Sequence, residues 1–196
     1  MVEIEETTPS YRVKVKGQQT GADLDAYLEP ANEDDMPSLT SSGWTFDWKG
    51  FWTKTDFDCE AIIKLSYQRE VLGLIRFGLY PYPFPTDNAP DYLEILHLQC
   101  VSRDRRQVNP VGFWLIWYAQ KIGLKYCVGD DDGTLVRLDS VEEAIPYYRD
   151  KVKMEGLGWT DIAPGEQGYA FKFTKQGAEE FCGRLEQCYG FPVRLN

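Results

Sequence analysis

Histidine is almost missing from this chain of 196 residues, with His97 the only one. A Ser-His-Asp triad or a histidine-built metal site would have to use that single side chain, and a histidine in an apolar strand reads first as a packing residue. No Cys-x-x-Cys spacing occurs, and the five cysteines (Cys59, Cys100, Cys127, Cys182 and Cys188) are odd in number. Neither a disulfide framework nor a zinc site is implied, and a cytoplasmic location is expected. No apolar run approaches the ~18 residues of a membrane span. The opening MVEIEETTPS is acidic rather than basic and then apolar, so nothing reads as secreted or membrane-inserted. Positive charge is also scarce: 21 Lys and Arg stand against 31 Asp and Glu, a net charge of -10. That field repels phosphate backbones, so neither nucleic acid nor membrane is expected as a partner.

Apolar side chains are plentiful: 43% of residues are hydrophobic and 14% aromatic. At this length roughly 70% of the unfolded surface can be buried without staples or metals. The alternation of Tyr11-Arg-Val-Lys-Val-Lys16 predicts a half-buried strand after an acidic tail over residues 1–10. The polar stretch from Gly17 to Ser42 has room for short helices around Ala22–Leu28 and Glu33–Leu39. The five aromatics between Trp44 and Trp52 read as core or loop plug, with a pocket wall as the alternative. Ala61–Tyr67 and Val71–Tyr80 are β-branched-rich runs around Gln68-Arg69-Glu70 and read as a hairpin. Pro81, Pro83, Pro85 and Pro90 then enforce a loop before a third strand, Tyr92–Val101.

A basic turn, Ser102–Asn109, leads into the apolar segment Gly112–Ile122, which predicts a buried helix with Pro110 near its first turn and Gly123 as its cap. Leu135–Leu138 reads as a short strand. Asp139-Ser140-Val-Glu-Glu143 reads as a capping box opening a helix that runs to about Glu155. Strands over Trp159–Ile162 and Tyr169–Thr174, a helix over Lys175–Cys188 and an extended Phe191–Leu195 close the chain. No repeat or linker divides it, so one mixed α/β (α+β) domain is expected.

Chemistry concentrates in Arg103-Asp-Arg-Arg-Gln-Val-Asn-Pro-Val-Gly112. In a chain this acidic, three arginines in four positions precede a helix start, whose free N–H groups and partial positive charge favour an anion. Arginine adds bidentate donors to phosphate oxygens. A solvated loop paired with the chain's many carboxylates is the other reading. Cys100 reads as a small buried hydrophobe, and Asp130-Asp131-Asp132-Gly133 as a solvated turn without calcium-loop spacing.

Gln107-Val-Asn-Pro110-Val-Gly112 resembles the Gln/Arg-x-x-Gly-x-Gly/Ala turn of the GNAT superfamily of acyl-CoA-dependent N-acetyltransferases. Ala144, Tyr147 and Tyr148 are similar to that family's next block, and Gly158-Trp159 to its Gly-Phe. Pro110 stands where the family has its first turn glycine, and Val141 where an asparagine is common.

The resemblance implies a GNAT-like mixed sheet with a splayed central strand pair, spanning residues 11–174, with 175–196 continuing the same domain. It implies acetyl-CoA as co-substrate, cradled by Val101, Arg103, Arg105, Arg106, Gln107, Val108, Asn109, Val111, Gly112 and Phe113, and no metal. It further implies direct acetyl transfer to a small amine or a protein amine. Glu94 would be the base, and Tyr148, or Tyr147 if the register shifts, the acid for the leaving thiolate. A catalytically silent GNAT-like interaction or sensing module and an unrelated α+β binding protein are the competing expectations. The segment after Thr174 is free to extend the sheet or to meet a second subunit in a homodimer.

Overall fold

The computed structural model describes residues 8–38, 41, 43–81 and 89–195. Its frame is a ten-stranded mixed sheet in the order β10-β1-β2-β3-β4-β5-β7-β9-β8, with β6 paired to β1 off this path. The strands are β1 (Tyr11–Gly17), β2 (Asp23–Pro30), β3 (Glu60–Tyr67), β4 (Glu70–Tyr80), β5 (Tyr92–Cys100), β6 (Val108–Asn109), β7 (Val136–Ser140), β8 (Glu155–Ala163), β9 (Glu166–Phe173) and β10 (Val193–Arg194). Among the described residues three α-helices complete it: α1 (Trp48–Lys54), α2 (Gly112–Tyr126) and α3 (Lys175–Tyr189). Among the described residues every strand pairing is antiparallel except β5 with β7.

The hydrophobic faces dictate two layers on the sheet. α2 is apolar nearly all round, and Trp114, Leu115, Ile116, Trp117 and Tyr118 are each no more than 1% exposed. It lies on one face with α3 and forms the main core with Val13, Val15, Ile63, Ile75, Phe77 and Phe171. On the opposite face α1 seats the fully buried Trp48 against Met36, Ile62 and Leu74. The aromatic run at 44–52 is thus largely core, as its composition suggested. Asp47 caps α1 by accepting from the Gly50 amide at 3.0 Å.

Several elements differ from their expected form. The stretch expected as a helix at Ala22–Leu28 is strand from Asp23 on, because it pairs with β1 on one side and β3 on the other. Lys14–Asp25 (2.7 Å) and Lys16–Asp23 (2.6 Å) ion pairs tie the segment across to β1. Glu33–Leu39 holds only a single 3-10 turn at Glu33–Asp35, and Leu39 lies outside the described residues. Gly123 is interior to α2 rather than its cap. A Cβ there would stand 2.9 Å from Val136, so the glycine lets helix and sheet approach closely.

Ser140 caps nothing: its hydroxyl donates to the Val141 carbonyl, and β7 runs on to Ser140 itself. A 3-10 turn at Glu142–Ala144 and a π-helical segment at Tyr147–Val152 replace the expected long helix, because Pro146 has no N–H to continue a regular ladder. Lys153, with φ of 70°, ends it before Gly156 and Gly158, which belong to β8. Residues 8–10, counted with the acidic tail, are anchored: the Pro9 carbonyl accepts from Tyr118 Oη at 2.8 Å and the Ser10 carbonyl from the Leu195 amide. Residues 1–7, Pro83 and Pro85 lie outside the described residues. Among those described, no helix is long and apolar enough to cross a membrane.

Candidate functional site

The functional geometry begins where two parallel strands part. β5 and β7 pair only at Leu93↔Val136, Glu94↔Arg137 and Ile95↔Leu138. Both strands continue beyond that point, β5 to Cys100 and β7 to Ser140, with no ladder between them. A bulge at the same place explains the parting. On the β4 side the register steps from Phe77↔Ile95 to Arg76↔His97, leaving Leu96 as an extra residue. Bulges increase local twist, so β5 swings away from β7 one residue after its last partner. The result is a wedge-shaped opening whose β5 lip is unpaired on the β7 side.

The chain leaves β5 through the basic turn and enters α2 beside this opening. Val101 is buried; its amide donates to the Leu72 carbonyl at 3.0 Å, and its own carbonyl accepts from Arg106 Nε at 2.7 Å. Gln107 is exposed, its side chain donating to Glu70 and its carbonyl accepting from the Gln18 amide. Val108 and Asn109 form β6 against Gly17 and Lys16, so the turn is stitched to β1 before a cis Asn109–Pro110 peptide.

Val111 is the N-cap of α2 and makes no side-chain cap bond. The amides of Gly112, Phe113 and Trp114 therefore have no acceptor within the helix. Arg103 and Arg105 are exposed, Arg105 lying against Gly43, which adopts φ of 92°. Arg105 and Arg106 also line a cleft of about 430 Å³ with Gln18, Thr20 and Tyr67.

The other lip carries the two tyrosines, on the π-helical segment, a geometry often found at functional sites. The Tyr147 hydroxyl lies 2.9 Å from the point where a Cβ on Gly112 would sit, and its ring is 5.7 Å from that of Phe113. Burial, then the nearby Cys100 and Tyr148, raise its pKa well above the ordinary phenol value, while Arg106 opposes the shift. Tyr148 packs inward on Phe171 at 5.8 Å, within the main core. Burial likewise pushes the Cys100 thiol up to about 11, which leaves it protonated and unreactive at neutral pH.

Glu94 occupies the sheet face opposite α2, just before the strands part. Burial raises its pKa, Arg137 lowers it and Asp139 raises it. On the same face His97 is stacked on Phe51 at 3.7 Å, near Phe46 and Trp48. Burial and then Arg76 press its pKa down to about 4, so the imidazole is neutral at physiological pH. Gln99 clamps the 45–48 segment: its Oε1 accepts from Phe46 N and Trp48 Nε1, each at 3.1 Å, and its Nε2 donates to Thr45. The folded chain thus gathers Val101, Arg106, Gly112, Phe113 and Tyr147 at one edge of the wedge. Glu94 sits on its open face, while Gln107 is held by Glu70 and the Tyr148 ring packs on Phe171.

No family model and no curated protein matches the sequence. Solved structures do match. An uncharacterized protein from Bacillus halodurans superposes with a TM-score of 0.59 at 10% identity, over 92% of this chain and 98% of that one. An aminoglycoside acetyltransferase, AAC(6')-Ib, in complex with coenzyme A and kanamycin, gives 0.53 at 13%, over 79% and 98%. A putative acetyltransferase of the GNAT family from Desulfovibrio desulfuricans gives 0.54 at 9%, over 76% and 99%.

The fold is GNAT-like.

Within that fold the bulged β5, its splayed partner β7 and the helix α2 form one unit, as the turn at 107–112 implied. Arg137 and Asp139 are the polar residues that sequence reasoning passed over at this unit. No motif marks them, but the alternation of buried Val136, Leu138 and Ser140 with Arg137 and Asp139 between them places both on the open face.

Proposed function

We propose that the protein is an acyl-CoA-dependent N-acyltransferase, with acetyl-CoA as donor and a primary amine as acceptor. The observation that carries this reading is the wedge between β5 and β7, with the uncapped start of α2 at its edge. The uncapped first turn of α2 and the helix dipole suit a diphosphate there. Arg106, beside the same turn, adds a guanidinium. The unpaired lip of β5 offers backbone groups to an amide-bearing arm such as pantetheine. The chain's own groups thus fit the co-substrate.

In this reading transfer is direct. The neutral amine attacks the thioester carbonyl; the new C–N bond forms as the C–S bond breaks. The amine's proton goes to the Glu94 carboxylate, directly or through one water, and the departing thiolate takes the Tyr147 hydroxyl proton. Burial keeps Tyr147 protonated at neutral pH, the state required of an acid. Tyr147 is favoured over Tyr148 because the Tyr148 ring is packed into the main core against Phe171. The small or protein identity of the acceptor belongs to the same proposal, since AAC(6')-Ib structures hold kanamycin and ribostamycin but share only 13% of residues with this chain.

A second reading has its own observation. In the free protein Arg106 is already committed to the Val101 carbonyl, and Tyr147 abuts the helix start. A silent GNAT-like module that binds a ligand without turnover would look the same. Chromatographic detection of free coenzyme A from acetyl-CoA and a mixture of primary amines separates the two. The transferase reading expects amine-dependent release that Tyr147→Phe slows by about 10²-fold. Saturable acetyl-CoA binding without release would leave the silent module.

A further inference from the structure

On the open face of the sheet, Glu94, Arg137 and Asp139 straddle the point where β5 and β7 separate. Glu94 and Arg137 are register partners, and Asp139 follows the last paired residue of β7. Two apart on one strand, Arg137 and Asp139 project to the same side. Their mutual contact is loose: Nη2 to Oδ1 is 3.6 Å, an ion pair too long for a hydrogen bond. Two atoms of this pair, Arg137 Nε and Asp139 Oδ1, are buried yet have no hydrogen-bond partner among the described residues. Native folds rarely leave buried polar atoms open, and where they do a water, ion or ligand group belongs. Here one open atom is a donor and its neighbour an acceptor. Their setting of one guanidinium and two carboxylates favours a cation.

We infer that Arg137 and Asp139 bind an α-aminoacyl group, Asp139 Oδ1 accepting from its amine and Arg137 Nε donating to its carbonyl or carboxylate oxygen. An amine alone satisfies one open atom and a carbonyl alone the other; an amine and a carbonyl on the same carbon satisfy both. The group brings its nitrogen to the mouth of the wedge, beside Glu94. The inference rests on the transferase reading for the fate of that amine, but not for its binding. The α-aminoacyl group of a free amino acid and that of a peptide N-terminus share this chemistry.

The test is calorimetric titration of the full chain, without acetyl-CoA, using L-alaninamide, ethylamine, propionamide, L-alanine and the dipeptide alanyl-alaninamide. L-Alaninamide is expected to bind at least ten-fold more tightly than ethylamine or propionamide. Asp139→Asn, which keeps shape and loses charge, is expected to remove at least ten-fold of that affinity, and Arg137→Gln a similar factor. If Arg137→Gln does not fold, Asp139→Asn and the wild-type ligand series decide alone. Equal binding of ethylamine and L-alaninamide would overturn the assignment, as would a folded Asp139→Asn that binds like wild type. Tighter binding of L-alanine identifies the free amino acid as the source, and of the dipeptide a peptide N-terminus. Loss of acetyl-CoA turnover with this binding intact would strike the transferase reading and leave the amine site standing.

Discussion

Arg106 Nε donates to the carbonyl oxygen of Val101 across 2.7 Å, closing the turn between β5 and α2 on itself. The bond sets the guanidinium at the lip of the wedge, close enough to Cys100 and Tyr147 to offset part of their raised pKa values. One cation thereby holds the turn in shape and stands beside the helix start.

Arg106→Ala should therefore cost stability and ligand affinity together. A hydrogen bond from a charged donor contributes about 1.5–3 kcal/mol. Arg106 is only partly buried, so a loss of about 1–2 kcal/mol in urea unfolding is expected, with weaker acetyl-CoA binding. A variant as stable as wild type would show that the turn does not depend on this bond.

Tyr147→Phe and Tyr148→Phe should behave differently. Removing the Tyr147 hydroxyl deletes the proton donor, and turnover is expected to fall by about 10²-fold, the usual scale for an acid-base group, with little change in Tm. Tyr148→Phe keeps the ring on Phe171 and should leave turnover within a few-fold of wild type. The opposite order in steady-state assays would move the acid to Tyr148.

Glu94 sets the acid limb of the pH profile. It must be ionised to take a proton, and burial raises its pKa. The rate of transfer should fall, as pH is lowered, at a higher pH than an ordinary carboxylate would give. Glu94→Gln should erase that limb and lower the rate. The sign for stability is opposite to that of a salt-bridged acid. A raised folded pKa means that Glu94 favours folding at low pH and that this contribution is lost as pH rises from the ordinary carboxylate value through the folded one. Denaturation curves of wild type and Glu94→Gln should diverge across that window.

Gln120 is fully buried in α2, with no hydrogen-bond partner for either amide atom among the described residues. Leaving such groups open costs about 1–3 kcal/mol. Gln120→Leu or Gln120→Met should stabilise the protein by about 1 kcal/mol in chemical denaturation. A destabilised variant would mean that a buried water satisfies the amide.

Much of this architecture was legible in the chain. The β3–β4 hairpin announced itself by two apolar runs around Gln68-Arg69, which take φ of 51° and 69°. α2 was legible because an apolar run followed a proline-containing turn, and the Gln107–Gly112 pattern pointed to the wedge beside it. What failed to show was set by partners distant in sequence. β2 became a strand because β1 and β3 flank it, which no local propensity records. The bulge at Leu96 and the stitching of β6 to β1 leave no local signature either. Arg137 and Asp139 acquired significance only once β7 was placed beside β5. Of the arginines singled out in the turn, only a tertiary contact distinguishes Arg106, bound to Val101, from exposed Arg103.

The central claim is that the start of α2 and the adjoining wedge hold acetyl-CoA. Isothermal titration of acetyl-CoA into wild-type protein and Gly112→Ala tests it most directly, since an added Cβ would press on the Tyr147 hydroxyl at 2.9 Å. Saturable one-to-one binding to wild type, weakened at least ten-fold in a folded Gly112→Ala, is the predicted result. No binding at millimolar acetyl-CoA, or equal affinity for the two proteins, would contradict it.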